Sequence, residues 1–404
     1  RIGGEMLIVS DKRILSDISI SGLLDRRYRT MQMNILSQNG LPVVFPMLEQ
    51  ALDAAVSFDS ISLSYNNHGY YNDTLKLTLT YDLYNFRFFH RKISSTPMVV
   101  SKFTSKVDLS LTPEIFQVDS STAISVNSIS FHPYLKKEKM DLPGFNLEKF
   151  IKTGRLEVKI LPTNWDASTF FSDLPEGVFT IIRGIKAKGR LHYSLNFEMD
   201  PEKPDSLIFV SSFKPEEFRV ITYGSLNFKK LDSSFLYETF DKYDSLVSFR
   251  VGPENPDFVP LENISAVLVT SVLTSEDGSF MYHRGFNEES FRKAIADNII
   301  NWRFVRGGST ITMQFVKNIF LNRNKDIARK IQEAMIVWLL ENHRLCSKER
   351  MLEIYLNVIE WGPGIYGISQ ASEFYFKKKP SELNLQESIF LAAIIPKPRY
   401  YYTY

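Results

Sequence analysis

The feature that most limits how this chain can fold is a change in the spacing of its apolar residues. Up to about Arg250 they recur every second position: Leu75, Leu77, Leu79 and Tyr81 alternate with polar residues, as do Leu191, Tyr193, Leu195, Phe197 and Met199. Ile61 to Tyr65, Val107 to Leu111, Ile124 to Phe131, Leu156 to Ile160, Leu207 to Ser211 and Leu246 to Val251 read the same way. Period two places one face of a strand on a core and the other in water. Turns are expected at Asn66-Asn67-His68-Gly69 and Asp200-Pro201-Glu202-Lys203-Pro204, and helical interruptions at Pro46 to Ala55 and Phe145 to Lys152. There is no strict repeat.

Gly252-Pro253-Glu254-Asn255-Pro256, with Pro260, is the clearest punctuation. Beyond it the period is helical. Ile311, Phe315, Ile319 and Phe320 give one stripe behind Gly307-Gly308 and the capping residues Ser309 and Thr310. Asp326 to Leu345 carries Ile327, Ile331, Ala334, Met335, Trp338 and Leu339 on another, and Lys348 to Ile359 repeats the pattern. Leu385 to Ile395 forms a last helix, with Asn384 and Glu387 spaced as a capping box and Pro396 and Pro398 stopping it. Strands followed by helices make a multidomain α and β chain, not an alternating α/β fold. The expected division is an antiparallel β-rich module over 1–250, a linker over 251–260 and a mainly α-helical domain over 261–404.

At 404 residues with a net charge of +2, the chain has room for two or more cores and no charge excess that would make nucleic acid its main partner. The single Cys346 excludes an internal disulfide. His68, His90, His132 and His192 lack metal-ligand spacing. No run approaches the roughly 20 apolar residues of a membrane span, and no signal peptide is visible. Ser125-Val126-Asn127 and Lys152-Thr153-Gly154 superficially match two transpeptidase motifs. No Ser-x-x-Lys precedes them, and Ser290-Phe291-Arg292-Lys293 follows them, so the nucleophile that would give them chemistry is missing.

Two stretches do carry chemistry. Glu276-Asp277 follows the apolar run Ala266 to Leu273. A carboxylate buried there would rise in pKa toward the range of a general base; the alternative is a helix-capping pair. Between Arg303 and Lys330 lie Arg303, Arg306, Lys317, Arg323, Lys325, Arg329 and Lys330 against one acid, Asp326. Thr310, Gln314, Lys317 and Asn318 share the polar face of one helix, where hydroxyl, amide and ammonium suit a pyrophosphate or sugar. A solvated polar face is the competing reading. Arg329 and Glu333, one turn apart, could be a simple helix-surface pair.

Together the pattern Glu-Asp-x-x-Phe-x-x-His-x-Gly, complete at Glu276, Asp277, Phe280, His283 and Gly285, the segments Gly307 to Gln314 and Arg329 to Glu333, and Ser347 to Asn357 resemble the peptidoglycan glycosyltransferases, over about the last third of the chain. The resemblance implies a lysozyme-like helical domain with a small hydrophobic subdomain at the bilayer. It implies that Glu276 is the base acting on the acceptor sugar 4-hydroxyl, that Glu333 is the second acid, and that Asp277, Phe280, His283, Thr310, Gln314, Lys317, Asn318 and Arg329 bind substrate. Lys317 and Arg329 would meet the leaving pyrophosphate of lipid II. No cofactor is required, though a divalent cation, Mg2+ or Mn2+, can serve the family at the pyrophosphate. The implied partners are lipid II, the growing glycan strand, the membrane surface and a transpeptidase or other cell-wall protein.

The implied location is the extracytoplasmic, periplasmic face of the cell membrane, with an anchor helix preceding this chain. The sequence departs from the family at Met313, usually glutamine, and Val337, usually alanine, and stops at Tyr404 before a basic fifth motif. Phe286 to Val305, with Trp302 and Phe304 beside cations, is expected to lie at the membrane interface; a buried helix of the catalytic core, through Ile295 and Ile299, is the alternative. A lysozyme-like glycan hydrolase and an inactive cell-wall scaffold are the alternative functions. The basic helix separates the first, since finished glycan has no pyrophosphate to leave; the two acids speak against the second.

Overall fold

The computed structural model describes residues 2–10, 13–25, 27, 29–44, 53–139, 152–241, 243–301, 305, 307–321 and 326–401. The chain divides into two compact units, Arg1–Ser225 with Arg292–Arg306 and Asn324–Arg329, and Leu226–Phe291 with Gly307–Arg323 and Lys330–Tyr404.

The first unit is built on an antiparallel sheet. Its main path runs Ile2–Ser10, Arg13–Leu24, Thr30–Ser37, Ser60–Tyr71, Thr74–Phe89, Met98–Leu111, Ile115–Val118, Pro133–Glu138, Leu156–Ile160 and Lys186–Met199. Ile208–Thr222 pairs with the last of these over its length. Neighbours in sequence are mostly neighbours in space, as short hairpin connections require. The alternation seen in the sequence decides the inner face: Ile18, Ile35, Val43, Phe58 and Leu83 form a buried cluster, with Tyr81 and Phe103 stacked beside it at 5.8 Å. A second apolar centre gathers on Trp165, whose indole N–H donates to the Ser130 carbonyl at 2.7 Å and whose ring stacks on Phe170 at 5.1 Å. Phe170 lies on helix α1 (Ala167–Ser172), which Asp166 caps by accepting the Thr169 N–H.

Two local readings change. Asn66 to Gly69 is not a turn but part of the strand Ser60–Tyr71, with a register shift between Asn67 and Gly69. The chain reverses four residues later, where Asn72 and Asp73 hold φ of 47° and 57°, a left-handed pair that Asn and Asp tolerate. Ile124 to Phe131 is two strands, Ala123–Val126 and Ile129–Phe131, folded at Asn127 (φ 55°). The helices expected near Pro46 and Phe145 fall on 45–52 and 140–151, outside the described residues; Ala55 opens a strand.

The second unit holds a hairpin, Phe235–Phe240 with Leu246–Val251, and helices α2 (Ala266–Glu276), α4 (Ile311–Phe320), most of α5 (Ile327–Asn342), α6 (Lys348–Val358), α7 (Ile368–Phe376) and α8 (Leu385–Ile394). Helix α3 (Glu288–Ile300) begins in this unit. Residues 251–260 are fastened to α6: the Asn357 carboxamide accepts from the Val259 N–H at 2.9 Å and donates to the Val259 carbonyl at 2.8 Å. Asn384 and Glu387 form the expected capping box on α8.

Helix α5 buries part of the expected stripe, Trp338 and Leu339, together with a set that the stripe left out. Ala328, Gln332, Glu333, Ile336, Val337 and Leu340 face inward, while Ile327 and Ile331 are about half exposed. The inward face is chosen by what Glu333, Val337 and Glu341 meet across the domain, not by hydropathy alone. Among the described residues no helix is long and apolar enough to cross a membrane.

Candidate functional site

Helix α4 is the hub of the site, because five residues at its start each bond a residue of another segment. Ser309 Oγ accepts from Lys330 Nζ at 3.1 Å on α5. Thr310 donates its hydroxyl to the Gly285 carbonyl at 2.7 Å and caps the helix by accepting the Met313 N–H. The Ile311 N–H donates to Asp277 Oδ2 at 3.0 Å. Thr312 donates to Glu341 Oε1 at 2.8 Å. Gln314 donates from Nε2 to Glu276 Oε2 at 2.6 Å and accepts on Oε1 from the Tyr355 hydroxyl at 3.1 Å.

Glu276 is the last residue of α2, whose final turn is closed by the Asp277 N–H bonding the Leu273 carbonyl. Its carboxyl is half-buried. Desolvation raises its pKa above the ordinary carboxylate range, opposed by the Gln314 hydrogen bond and the Lys317 charge and reinforced by Asp277. A carboxylate in such surroundings accepts a proton more readily than one in water.

Asp277 turns the other way and is 6% exposed. Besides the Ile311 N–H it takes the His283 ring at 2.8 and 2.9 Å. The Gly285 N–H donates to His283 Nδ1 at 3.0 Å, so the ring proton sits on Nε2 and points at Asp277. Negative charge at the α4 N-terminus is favoured by the unpaired N–H groups there. Phe280 is buried edge-on to His283, with Lys348 Nζ 4.5 Å over its ring. Asp277, Phe280, His283 and Thr310 therefore form the frame that sets α4 beside Glu276.

Gly285 occupies φ +84°, and a Cβ there would lie 2.4 Å from Val337 Cγ1 and 3.1 Å from Glu341 Cγ. That explains why this position is glycine in physical terms. Met313 and Val337, the two departures from the family pattern, are both buried and pack in the core.

The remaining candidates lie on α4 and α5. Lys317 is exposed one turn beyond Gln314, close enough to Glu276 to depress its pKa, and Asn318 follows half-buried. Arg329 sits in the first turn of α5, its N–H bonded to Asp326 at 2.7 Å. Glu333 is 2% exposed and pairs with Lys330 at 2.5 Å. Lys330 thus ties Ser309 to Glu333. Arg303, Arg306, Arg323, Lys325, Trp302 and Phe304 fall outside the described residues.

Tyr355, Lys330, Glu341 and Lys348 belong to this network and were not among the expected site residues. Tyr355 left a signal: a tyrosine in an otherwise apolar helical stripe must find a partner for its hydroxyl. Glu341 and Lys348 form an ion pair at 2.6 Å with 7% and 16% of their side chains exposed. Cys346 is buried, and burial pushes its thiol up to about 12, which makes it inert. Among the described residues no group of three His, Cys, Asp or Glu gathers as a metal site.

A family model described as Transglycosylase matches residues 244–404. A biosynthetic peptidoglycan transglycosylase of Methylobacillus flagellatus is 43% identical over 154 residues, which are 37% of this chain and 66% of that protein. Proteins of the same description from Dechloromonas aromatica and Paraburkholderia xenovorans are 44% and 40% identical over 144 and 160 residues, 36% and 38% of this chain and 62% and 66% of theirs. The chain thus spans just under two thirds of the length of these curated relatives.

Proposed function

Because residues 244–404 carry a transglycosylase-family domain, we propose that this protein is a peptidoglycan glycosyltransferase of lysozyme-like helical fold that polymerises lipid II into glycan strands. The observation that carries the reading is the half-buried Glu276, raised in pKa yet held by an amide donor. Glu276 takes the proton of the acceptor sugar 4-hydroxyl, and that oxygen bonds the anomeric carbon of the donor. The bond from this carbon to the pyrophosphate oxygen breaks with its electron pair, inverting the linkage. Lys317 and Arg329 offset the charge that develops on the leaving pyrophosphate, as fixed cations do best in a preorganised site. Glu333 holds Lys330 in place beside Ser309, which puts a cation at the start of α4.

Among the described residues no ready cluster offers itself for the family's optional divalent cation. Asp277, the acid next to Glu276, already has its oxygens committed to His283 and Ile311. The growing strand and the extracytoplasmic membrane face follow from the substrate. The test is incubation of the full chain with lipid-linked disaccharide-peptide and gel separation of the products. Glycan ladders that vanish in Glu276→Gln support the reading; cleavage of finished glycan, or no turnover by the unaltered protein, overturns it.

A further inference from the structure

Tyr355 is fully buried on α6, and its hydroxyl donates to Gln314 Oε1 at 3.1 Å. Gln314 in turn donates from Nε2 to Glu276 Oε2 at 2.6 Å. The carboxamide has one donor end and one acceptor end, so what occupies the acceptor end decides what the other end shows to Glu276. We infer that Tyr355 is a positioning residue for the transfer, its phenol fixing the Gln314 amide so that the N–H, not the carbonyl, faces Glu276. The inference rests on the reading of Glu276 as the base.

Three hydrogen-bonding groups form a directed chain, O–H to O=C–N–H to carboxylate, in which each bond polarises the next. The phenol serves as a neutral donor: burial pushes its own pKa well above the usual tyrosine value, and the charges of Glu276 and Asp277 push it further. The groups facing Glu276 among the described residues are Asp277 beside it, Lys317 and Gln314 from α4, and Tyr355 from α6. Asp277 raises the Glu276 pKa, while Lys317 and the Gln314 amide lower it. The Tyr355–Gln314 arm is therefore a device that keeps a desolvated carboxyl ionised often enough to act as a base. Without the hydroxyl, Gln314 Oε1 stands unpaired beside a buried ring. The amide then turns or withdraws to find a partner, and the carboxylate loses its donor.

The test is Tyr355→Phe in the full chain, which keeps the ring and removes one oxygen. The Glu276 carboxyl is titrated directly by carbon-13 NMR, its resonance identified by its loss in Glu276→Gln. The midpoint is expected to rise by about one pH unit, the scale of a weakened hydrogen bond to a charged group. The acidic limb of kcat/KM should move up with it, while activity well above the limb falls much less than below it. In a Gln314→Met background the Phe change should add no further shift, since the phenol acts through the amide. An unmoved midpoint, or equal shifts with and without Gln314, overturns the inference. If Tyr355→Phe does not fold, Gln314→Met alone must raise the midpoint, and failure to do so is equally decisive. Activity retained in Glu276→Gln sinks the underlying reading instead, so the two failures are distinguishable.

Discussion

Gly285→Ala puts a single methyl group into the most crowded backbone position of the site. Two costs add. At φ +84° an alanine Cβ meets its own backbone, a penalty of about 1–2 kcal/mol. The same Cβ would sit 2.4 Å from Val337 Cγ1 and 3.1 Å from Glu341 Cγ, well inside contact distance, and overpacking of this kind costs about 1–3 kcal/mol. Val337 is fully buried and cannot swing into solvent. The expected loss is about 2–5 kcal/mol, read by urea unfolding with tryptophan fluorescence, for which Trp338 and Trp361 lie in the helical unit.

The double variant Gly285→Ala with Val337→Ala separates the terms, because it deletes the Cγ atoms that clash and leaves the backbone strain. Coupling of about 1–3 kcal/mol is expected, far above the roughly 0.5 kcal/mol seen for independent sites. Strict additivity would show that Val337 is not what bars a side chain at position 285. A cost below about 1 kcal/mol for Gly285→Ala alone would refute both terms. Activity should fall more than stability accounts for, since Gly285 binds both His283 and Thr310 through its backbone.

Glu276→Gln is expected to lower polymerisation by roughly 10²–10⁴ fold while the lipid substrate still binds; a rate above about a tenth of the unaltered one would remove Glu276 from the role of base. The same variant makes a stability prediction. A carboxyl whose folded pKa is raised binds its proton more tightly in the fold, so its contribution to stability is full below the unfolded carboxylate range and is lost as pH rises through the raised value. Thermal melting should therefore show Glu276→Gln gaining on the unaltered protein as pH rises across that window, and parallel melting curves at all pH values would contradict the burial argument. Lys317→Ala and Arg329→Ala should each lower turnover with the fold intact, and unchanged rates in both would return them to a solvated face. Lys348→Met strands the buried Glu341, with Thr312 as its remaining donor, and should cost about 3 kcal/mol; adding Glu341→Leu should recover most of this, and no recovery would mean the pair is not what Lys348 contributes.

By itself the sequence determined most of the elements. Period-two stretches became strands, helical stripes became helices, and the capping box at Asn384 formed as written, because these depend on neighbours within a few residues. It also marked Glu276, Gln314 and Lys317 as candidates, through an acid after an apolar run and a polar helical face, local patterns that left a helix cap and a solvated face open until the motif resemblance was added.

What only the tertiary structure decided is which atoms meet. That Asp277 serves the α4 N-terminus while Glu276 faces Gln314, and that Tyr355 reaches the same amide, depends on segments separated by 34, 38 and 41 residues. Helix α5 shows the same limit, leaving Ile327 and Ile331 outside while Glu333 goes in. Hydropathy scores each side chain alone. A buried carboxylate becomes tolerable only when a partner is brought to it, as Lys348 of α6 is brought to Glu341 of α5, and that delivery is a property of the packed domain.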